Sequence, residues 1–366
     1  SNMEDYMQLN NDLNTTVPMA KSAEAAIEIM QGEEIAMAVG MQPYELVDEL
    51  GEIFNKYEVP MGLTNKLLVL SEYASLEFII DDSGSMSLNS DTIHPLYKRP
   101  NTRWEEAQQR LREMVEIIAY VPFQQIGIEF LNRKDRLTLK RTNGQRPRDF
   151  LNTAYVQIDT VFRTGPKGTT PALEKLQESL VRGQGTSIAR YFFGDGLPNG
   201  GQRAIQEICH IITNRANPAQ NPITFLSCTG EDEQVEWMKD CEEVAPYCAE
   251  SDDFGDESRE VLGDQGIALP YTRGFWLVCQ LVAAMNPNDL DAMDESVPFT
   301  KTTLDSLLGI QHNEASYKHY FDSFVHNQKT AHRGMSKSAR LKRNTKWKYQ
   351  DFVTAPVAKE IPQVQK

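Results

Sequence analysis

Apolar positions change their rhythm along the chain, and those changes outline its elements. Residues 22–30 and 44–57 carry helix-like patterns. In the second, Leu46, Leu50 and Phe54 fall at i, i+4 and i+8, with Val47 and Ile53 flanking the same face. A helical N-terminal region is expected. The rhythm then breaks at Leu76-Glu77-Phe78-Ile79-Ile80, a short apolar run suited to a central strand buried on both faces. A polar loop follows, then Thr102-Arg103-Trp104-Glu105, a capping box that opens a helix. Trp104, Ala107, Leu111, Met114 or Val115, and Ile118 continue it at helical spacing. Residues 126–131 read as a second strand, and residues 136–139 as a third, half polar and suited to an edge.

The alternation continues. Helices are expected over residues 149–161, 171–181, 204–213, 233–244 and 275–285, and strands over residues 187–193 and 223–227. Glu231-Asp232-Glu233 place acid groups at the positive end of a helix dipole. Strands alternating with helices predict a three-layer α/β/α sandwich of Rossmann-like form with a mostly parallel sheet. After Pro287 the pattern weakens, with helical stretches at residues 304–308 and 317–325. Three regions result: residues 1–70 as an N-terminal helical extension, 71–290 as the α/β domain, and 291–366 as a helical extension with a basic tail. Ser1-Asn2 before Met3 reads as a cleavage scar from recombinant expression.

Composition narrows the class. The 366 residues are 40% hydrophobic and 24% charged, which fits a globular protein with ample core material. Fifty-two acidic against thirty-seven basic side chains give a net charge of −15. That balance opposes bulk wrapping of nucleic acid or anionic membrane and suits cations. No run reaches the roughly 18 apolar residues a membrane helix needs. No basic region precedes an apolar N-terminal core, so a cytoplasmic location is expected, although secretion without a cleaved signal would leave no trace. The five cysteines (209, 228, 241, 248 and 279) match neither a disulfide framework nor a zinc site, and buried reduced thiols are expected.

Three loop segments carry the chemistry. Asp81-Asp82-Ser83-Gly84-Ser85-Met86 follows the first strand at its carboxyl end, where open parallel sheets bind ligands. Gly168-Thr169-Thr170-Pro171 places Thr170 at a helix N-cap and Pro171 at the first helical position. Gly194-Asp195-Gly196 follows another strand. Taken singly, these are an ordinary turn, a cap and a tight turn. Taken together they bring oxygen ligands to one sheet edge, and oxygen-only ligands suit a hard cation, magnesium first, manganese or calcium next.

In that order the segments resemble the metal-ion-dependent adhesion site of the von Willebrand factor type A family. Its Asp-x-Ser-x-Ser motif is matched by Asp81, Ser83 and Ser85, its threonine by Thr170 and its later aspartate by Asp195. The resemblance covers about residues 71–287. Residues 252–260 and 271–285 look like the closing part of some intracellular members. Gly194 stands where many members have a hydroxyl residue, a position that is not a ligand, and Thr169 is a neighbouring alternative to Thr170. The resemblance implies binding rather than catalysis. The serines and the threonine hold a divalent cation, the aspartates often act through water, and an Asp or Glu carboxylate of a partner protein fills an open coordination position.

Two other classes compete. Asp81 after a strand is similar to the aspartyl nucleophile of haloacid-dehalogenase-like phosphatases, but their second aspartate is replaced by Ser83. A metal-dependent phosphohydrolase is therefore the minor alternative. Residues 329–348 hold Lys329, Arg333, Lys337, Arg340, Lys342, Arg343, Lys346 and Lys348 with no acid between them. This tail fits an acidic partner or nucleic acid, and more readily an intramolecular dock on the acidic residues 231–264. The long loop 87–101 borders the expected metal face, and its Asp91, His94, Tyr97, Lys98 and Arg99 are candidate partner contacts.

Overall fold

A computed structural model describes residues 41, 43–142, 144–285, 290, 293, 297–331 and 347–354. Six strands form one sheet in the order β5-β4-β1-β6-β7-β8. They are β1 (Ser75–Ile80), β4 (Ile126–Phe130), β5 (Arg136–Leu139), β6 (Ile188–Gly194), β7 (Ile223–Ser227) and β8 (Cys248–Ser251). All neighbours are parallel except the β4–β5 edge pair, which is antiparallel. The fold is the expected three-layer α/β sandwich. β1, β4, β6 and β7 are buried along their whole length, which explains why they read as continuous apolar runs.

The two faces of the sheet take alternate residues of each strand. Leu76, Phe78 and Ile80 of β1, with Tyr191 and Phe193 of β6, point into the larger core. That core is closed by α2 (Arg103–Ile118), α3 (Pro147–Phe162) and α8 (Arg273–Val282). Ile79, Phe192 and Phe225 point into the smaller one, closed by α4 (Ala172–Arg182), α5 (Gly201–Thr213) and α6 (Asp232–Val244). Buried residues of α1 (Pro43–Tyr57), of residues 61–70, and of the late helices α9 (Lys301–Leu308) and α10 (Glu314–Ala331) belong to the larger core as well. The α2 capping box forms as its sequence predicts: Thr102 Oγ1 accepts from the Glu105 amide at 3.1 Å, and Glu105 Oε2 accepts from the Thr102 amide at 2.9 Å.

Several expectations need correction. The segment 87–101 is not a plain loop. Residues 89–93 (β2) pair antiparallel with Pro100–Thr102 (β3) in a two-stranded ribbon. β8 and helix α7 (Phe254–Gln265) complete the domain and carry no strong periodicity. Cys209 and Cys241 are joined by a disulfide between α5 and α6, with Cα atoms 5.1 Å apart. These helices pack side by side, which a separation of 32 residues in sequence does not announce. Cys228, Cys248 and Cys279 are buried free thiols, as expected. Residues 22–30 and most of the basic tail lie outside the described residues. Within the acidic stretch 231–264, the end of α7 is met by α10: Asn327 Nδ2 donates to the Leu262 carbonyl at 2.7 Å and Gln328 Nε2 to that of Asp264 at 2.9 Å.

Candidate metal centre

β1 lies between β4 and β6, so the chain leaves it toward one side and later returns on the other. That is the switch point at which open α/β sheets form a crevice beyond the strand ends. Ile80 is in register with Phe193, and the Asp81 amide donates to the Phe193 carbonyl at 2.9 Å. The loops after β1 and β6 therefore start side by side, which places Asp81 beside Asp195.

A continuous chain of hydrogen bonds joins four of the five candidate ligands. Asp81 Oδ1 accepts from the Ser83 amide at 2.7 Å. The Ser83 and Ser85 hydroxyls are 3.0 Å apart, and Ser85 Oγ donates to Asp195 Oδ1 at 2.9 Å. Asp81, Ser83 and Asp195 are buried. Asp81 Oδ2 is buried without any partner among the described residues. Burial pushes the Asp81 carboxyl up to about 7, and the neighbouring Asp195 and Asp82 carboxylates add to the rise against the opposing Ser83 hydrogen bonds. An orphaned buried carboxylate oxygen costs about 1–3 kcal/mol or more unless something binds it. A divalent cation is a partner of the right charge and hardness.

Asp82 has a different task. Its Oδ1 accepts from the Asn132 amide and side chain, both at 2.9 Å, and its Oδ2 lies 3.3 Å from Arg133 Nε. Asn132 Nδ2 also donates to the Thr169 carbonyl at 2.8 Å. The Gly84 amide donates to the Gly168 carbonyl at 3.2 Å, and the Lys167 amide to the Asp82 carbonyl at 2.7 Å. These bonds hold the 165–170 loop against the 81–85 loop. Gly168 has φ +116°, and a side chain there would press on Asn132 at 2.6 Å, so the close approach of the loops needs glycine.

Thr170 sits on this loop but is not the helix cap. The cap position belongs to Pro171, and α4 starts at Ala172. Asn199 sets the conformation instead: its Oδ1 accepts from the Thr170 amide at 3.0 Å, and its amide donates to the Thr170 carbonyl at 2.8 Å. Asn199 Nδ2 donates to Thr169 Oγ1 at 2.9 Å, which occupies the hydroxyl of the alternative threonine. The Thr170 hydroxyl makes no hydrogen bond among the described residues, and no direct bond joins it to the other four candidates. Gly194 is also explained: a side chain there would meet Met238 at 2.7 Å and Phe192 at 2.8 Å.

One residue of the site carries no motif signal. Arg103, in the first turn of α2, reaches across the loops. Its Nη1 donates to Asp195 Oδ2 at 3.0 Å and its Nη2 to Glu231 Oε1 at 2.7 Å, while Nε is buried without a partner. Burial opposes its charge, yet Asp195 and Glu231 outweigh burial and hold its pKa above the ordinary value. The only clue in the sequence is an arginine at the positive end of a helix dipole, where a cation is unfavourable.

The candidate partner contacts lie on the β2–β3 ribbon. His94 is half-buried and closes the tip, with its Nδ1 accepting from the Leu96 amide at 3.2 Å and its ring 4.5 Å from that of Tyr97. Arg99 folds back on Glu105 at 2.6 Å, and Asp91 comes within 4.8 Å of Asp253 and Asp256 at the start of α7. Lys98 is exposed with φ 53°, and Tyr97 is 69% and Leu96 78% exposed.

Comparison with known proteins adds a weak likeness. The chain matches no protein-family model and no curated protein sequence. Among solved structures it is similar to the ArnB paralog VWA2 from Sulfolobus acidocaldarius, at 16% identity and a TM-score of 0.31, over 53% of this chain and 45% of that one. It is also similar to proximal thread matrix protein 1 from the mussel byssus, at 16% identity and a TM-score of 0.31, over 57% of this chain and 49% of that one. The chain thus covers about half the length of each. Among the described residues no helix is long and apolar enough to cross a membrane.

Proposed function

We propose that the chain is a metal-dependent protein-interaction module. Asp81, Ser83, Ser85, Thr170 and Asp195 would hold Mg2+, with Mn2+ or Ca2+ as substitutes, and the ion would bind an Asp or Glu carboxylate of a partner protein. The observation that carries the reading is Asp81 Oδ2, a buried carboxylate oxygen without a partner beside two serine hydroxyls and a second aspartate. Asp82, next in sequence, has both oxygens bonded within the protein. Of these two adjacent aspartates, the open oxygen therefore belongs to the one in the motif.

When bound, a divalent ion held by hydroxyls and two carboxylates keeps residual positive charge and attracts an anionic ligand. The protein's own residues do the rest. Asp82, Asn132 and Asn199 fix the loops, and the ribbon with Leu96 and Tyr97 supplies apolar contact surface beside them. The role is binding, with no turnover.

The test has two parts. Equilibrium titration with Mn2+, read by the free-ion electron paramagnetic resonance signal, should give one site that Asp81→Asn and Asp195→Ala abolish. Affinity capture in Mg2+ against EDTA, with wild type and Thr170→Ala, should retain a partner on metal-loaded wild type alone. Capture unaffected by EDTA and by Thr170→Ala would reject metal dependence.

A further inference from the structure

Arg103 is a cation already bound to one of the candidate metal ligands. It uses one oxygen of Asp195, the oxygen that Ser85 leaves unused. Its own environment is poor: it sits in the first turn of a helix, its side chain is 6% exposed, and Nε has no partner. What holds the guanidinium is its pair of acids, and these differ. Asp195 is buried, whereas the Glu231 side chain is 62% exposed on the turn before α6.

We infer that Arg103 is an internal competing cation of the metal centre, occupying the Asp195 carboxylate until a divalent ion displaces its guanidinium onto Glu231. The inference rests on the metal reading above. Asp81 and Asp195 offer two carboxylates and Arg103 neutralises one of them, so the metal-free cluster is stable without an ion. A divalent ion placed within a few ångströms of a guanidinium is repelled by it, and in a partly buried site such repulsion weakens binding by about tenfold or more. Glu231 lowers that barrier, because it already holds Nη2 and lies at the solvent edge. Displacement leaves the ion and a guanidinium on one rim, which favours an acidic ligand over a neutral one.

The test is Mn2+ binding to the full chain, followed by the same resonance signal, with Mg2+ calorimetry as a second readout. Arg103→Gln should tighten Mn2+ by about tenfold or more, and Arg103→Lys should stay close to wild type. Glu231→Gln should weaken binding in the wild-type background and have little effect once Arg103 is Gln. A purely structural arginine predicts the reverse, because disordering Asp195 loosens the ion. Thermal unfolding in EDTA identifies variants that misfold; if Arg103→Gln is one, Glu231→Gln, which leaves Arg103 and Asp195 in place, carries the test, and Mn2+ binding no weaker than in wild type then overturns the inference. Unchanged or weaker Mn2+ binding in folded Arg103→Gln overturns the inference and leaves the metal site standing. Equal weakening by Glu231→Gln in both backgrounds reduces Glu231 to a distant charge and overturns the transfer. Absence of Mn2+ binding in wild type and every variant overturns both readings.

Discussion

Glu77 in strand β1 and Asp81 just past its end meet opposite fates. Glu77, within the strand, is closed on all sides. Arg136 Nη2 donates to one of its oxygens at 2.5 Å, and Arg182 Nη2 at 3.0 Å and Ser179 Oγ at 3.2 Å donate to the other. Arg182 also bridges to Glu129 on β4 at 2.6 Å, and Arg190 on β6 binds Ser179 at 2.7 Å. Asp81, just past the end of the strand, keeps one oxygen open. Both carboxyls are buried in one sheet, within a few residues of each other. Burial alone therefore does not mark function. A buried polar group with all its partners serves the fold, whereas an open carboxylate oxygen at a strand end, next to two serines and a second aspartate, is the group a cation would complete.

The sharpest way to break this contrast is to open the closed cluster. Glu77→Ala leaves Arg136 without its acid and Arg182 with Glu129 alone, and should cost about 3 kcal/mol in urea unfolding, the low end for a broken buried pair because both arginines reach water. Next comes the open cluster. Mg2+ at a hundredfold excess over its dissociation constant should stabilise the wild type by about 2.7 kcal/mol, and should not stabilise Asp81→Asn. In EDTA, Asp81→Asn should be at least as stable as wild type, since it removes a buried charge facing Asp195. Asp82→Asn should behave in the opposite way. It removes the charge paired with Arg133 and should cost about 1–2 kcal/mol with or without metal. If the two aspartates respond alike in EDTA, the contrast fails.

The smallest effect lies outside both clusters. Arg99, with the Thr102 amide adding to it, holds the Glu105 carboxyl down at about 2. A lowered acid contributes stability above its unfolded value near 4.5 that is lost as pH falls toward 2. The ribbon tip should therefore stay docked to α2 at pH 5 and loosen only below about 4, as followed by the amide shift of Thr102 across an acid titration.

The sheet was largely legible because its strands are apolar runs separated by periodic helices. β1, β4, β6 and β7 announce themselves in this way, and so does the capping box at residues 102–105. The ribbon was not legible. Asn89-Ser90-Asp91-Thr92-Ile93 is polar, and its register comes from pairing with β3 rather than from burial. β8 is four residues long and lies between two acidic stretches. For the candidate site, sequence order brought Asp81, Ser83, Ser85 and Asp195 together because strand ends sit at fixed places in such a fold. The cap at Thr170 was misplaced by one residue, since the hydrogen bonds from Asn199 override the usual role of a threonine before proline. Arg103 and Glu231 were missed because a salt bridge spanning 128 residues leaves no local pattern.

The position of β1 also bears on the birth of the chain. It lies between β4 and β6, and its second neighbour ends near residue 194, more than a hundred residues downstream. At roughly 5–20 residues per second of synthesis, the strand waits on the order of 5–20 seconds after it is made before both flanks are paired. During that time its apolar face and free edge are open to other nascent chains. Ribosome-associated chaperones that bind extended apolar segments thus have a defined target and a defined interval, and a synonymous change that slows translation between residues 81 and 188 lengthens the exposure without altering a single amino acid.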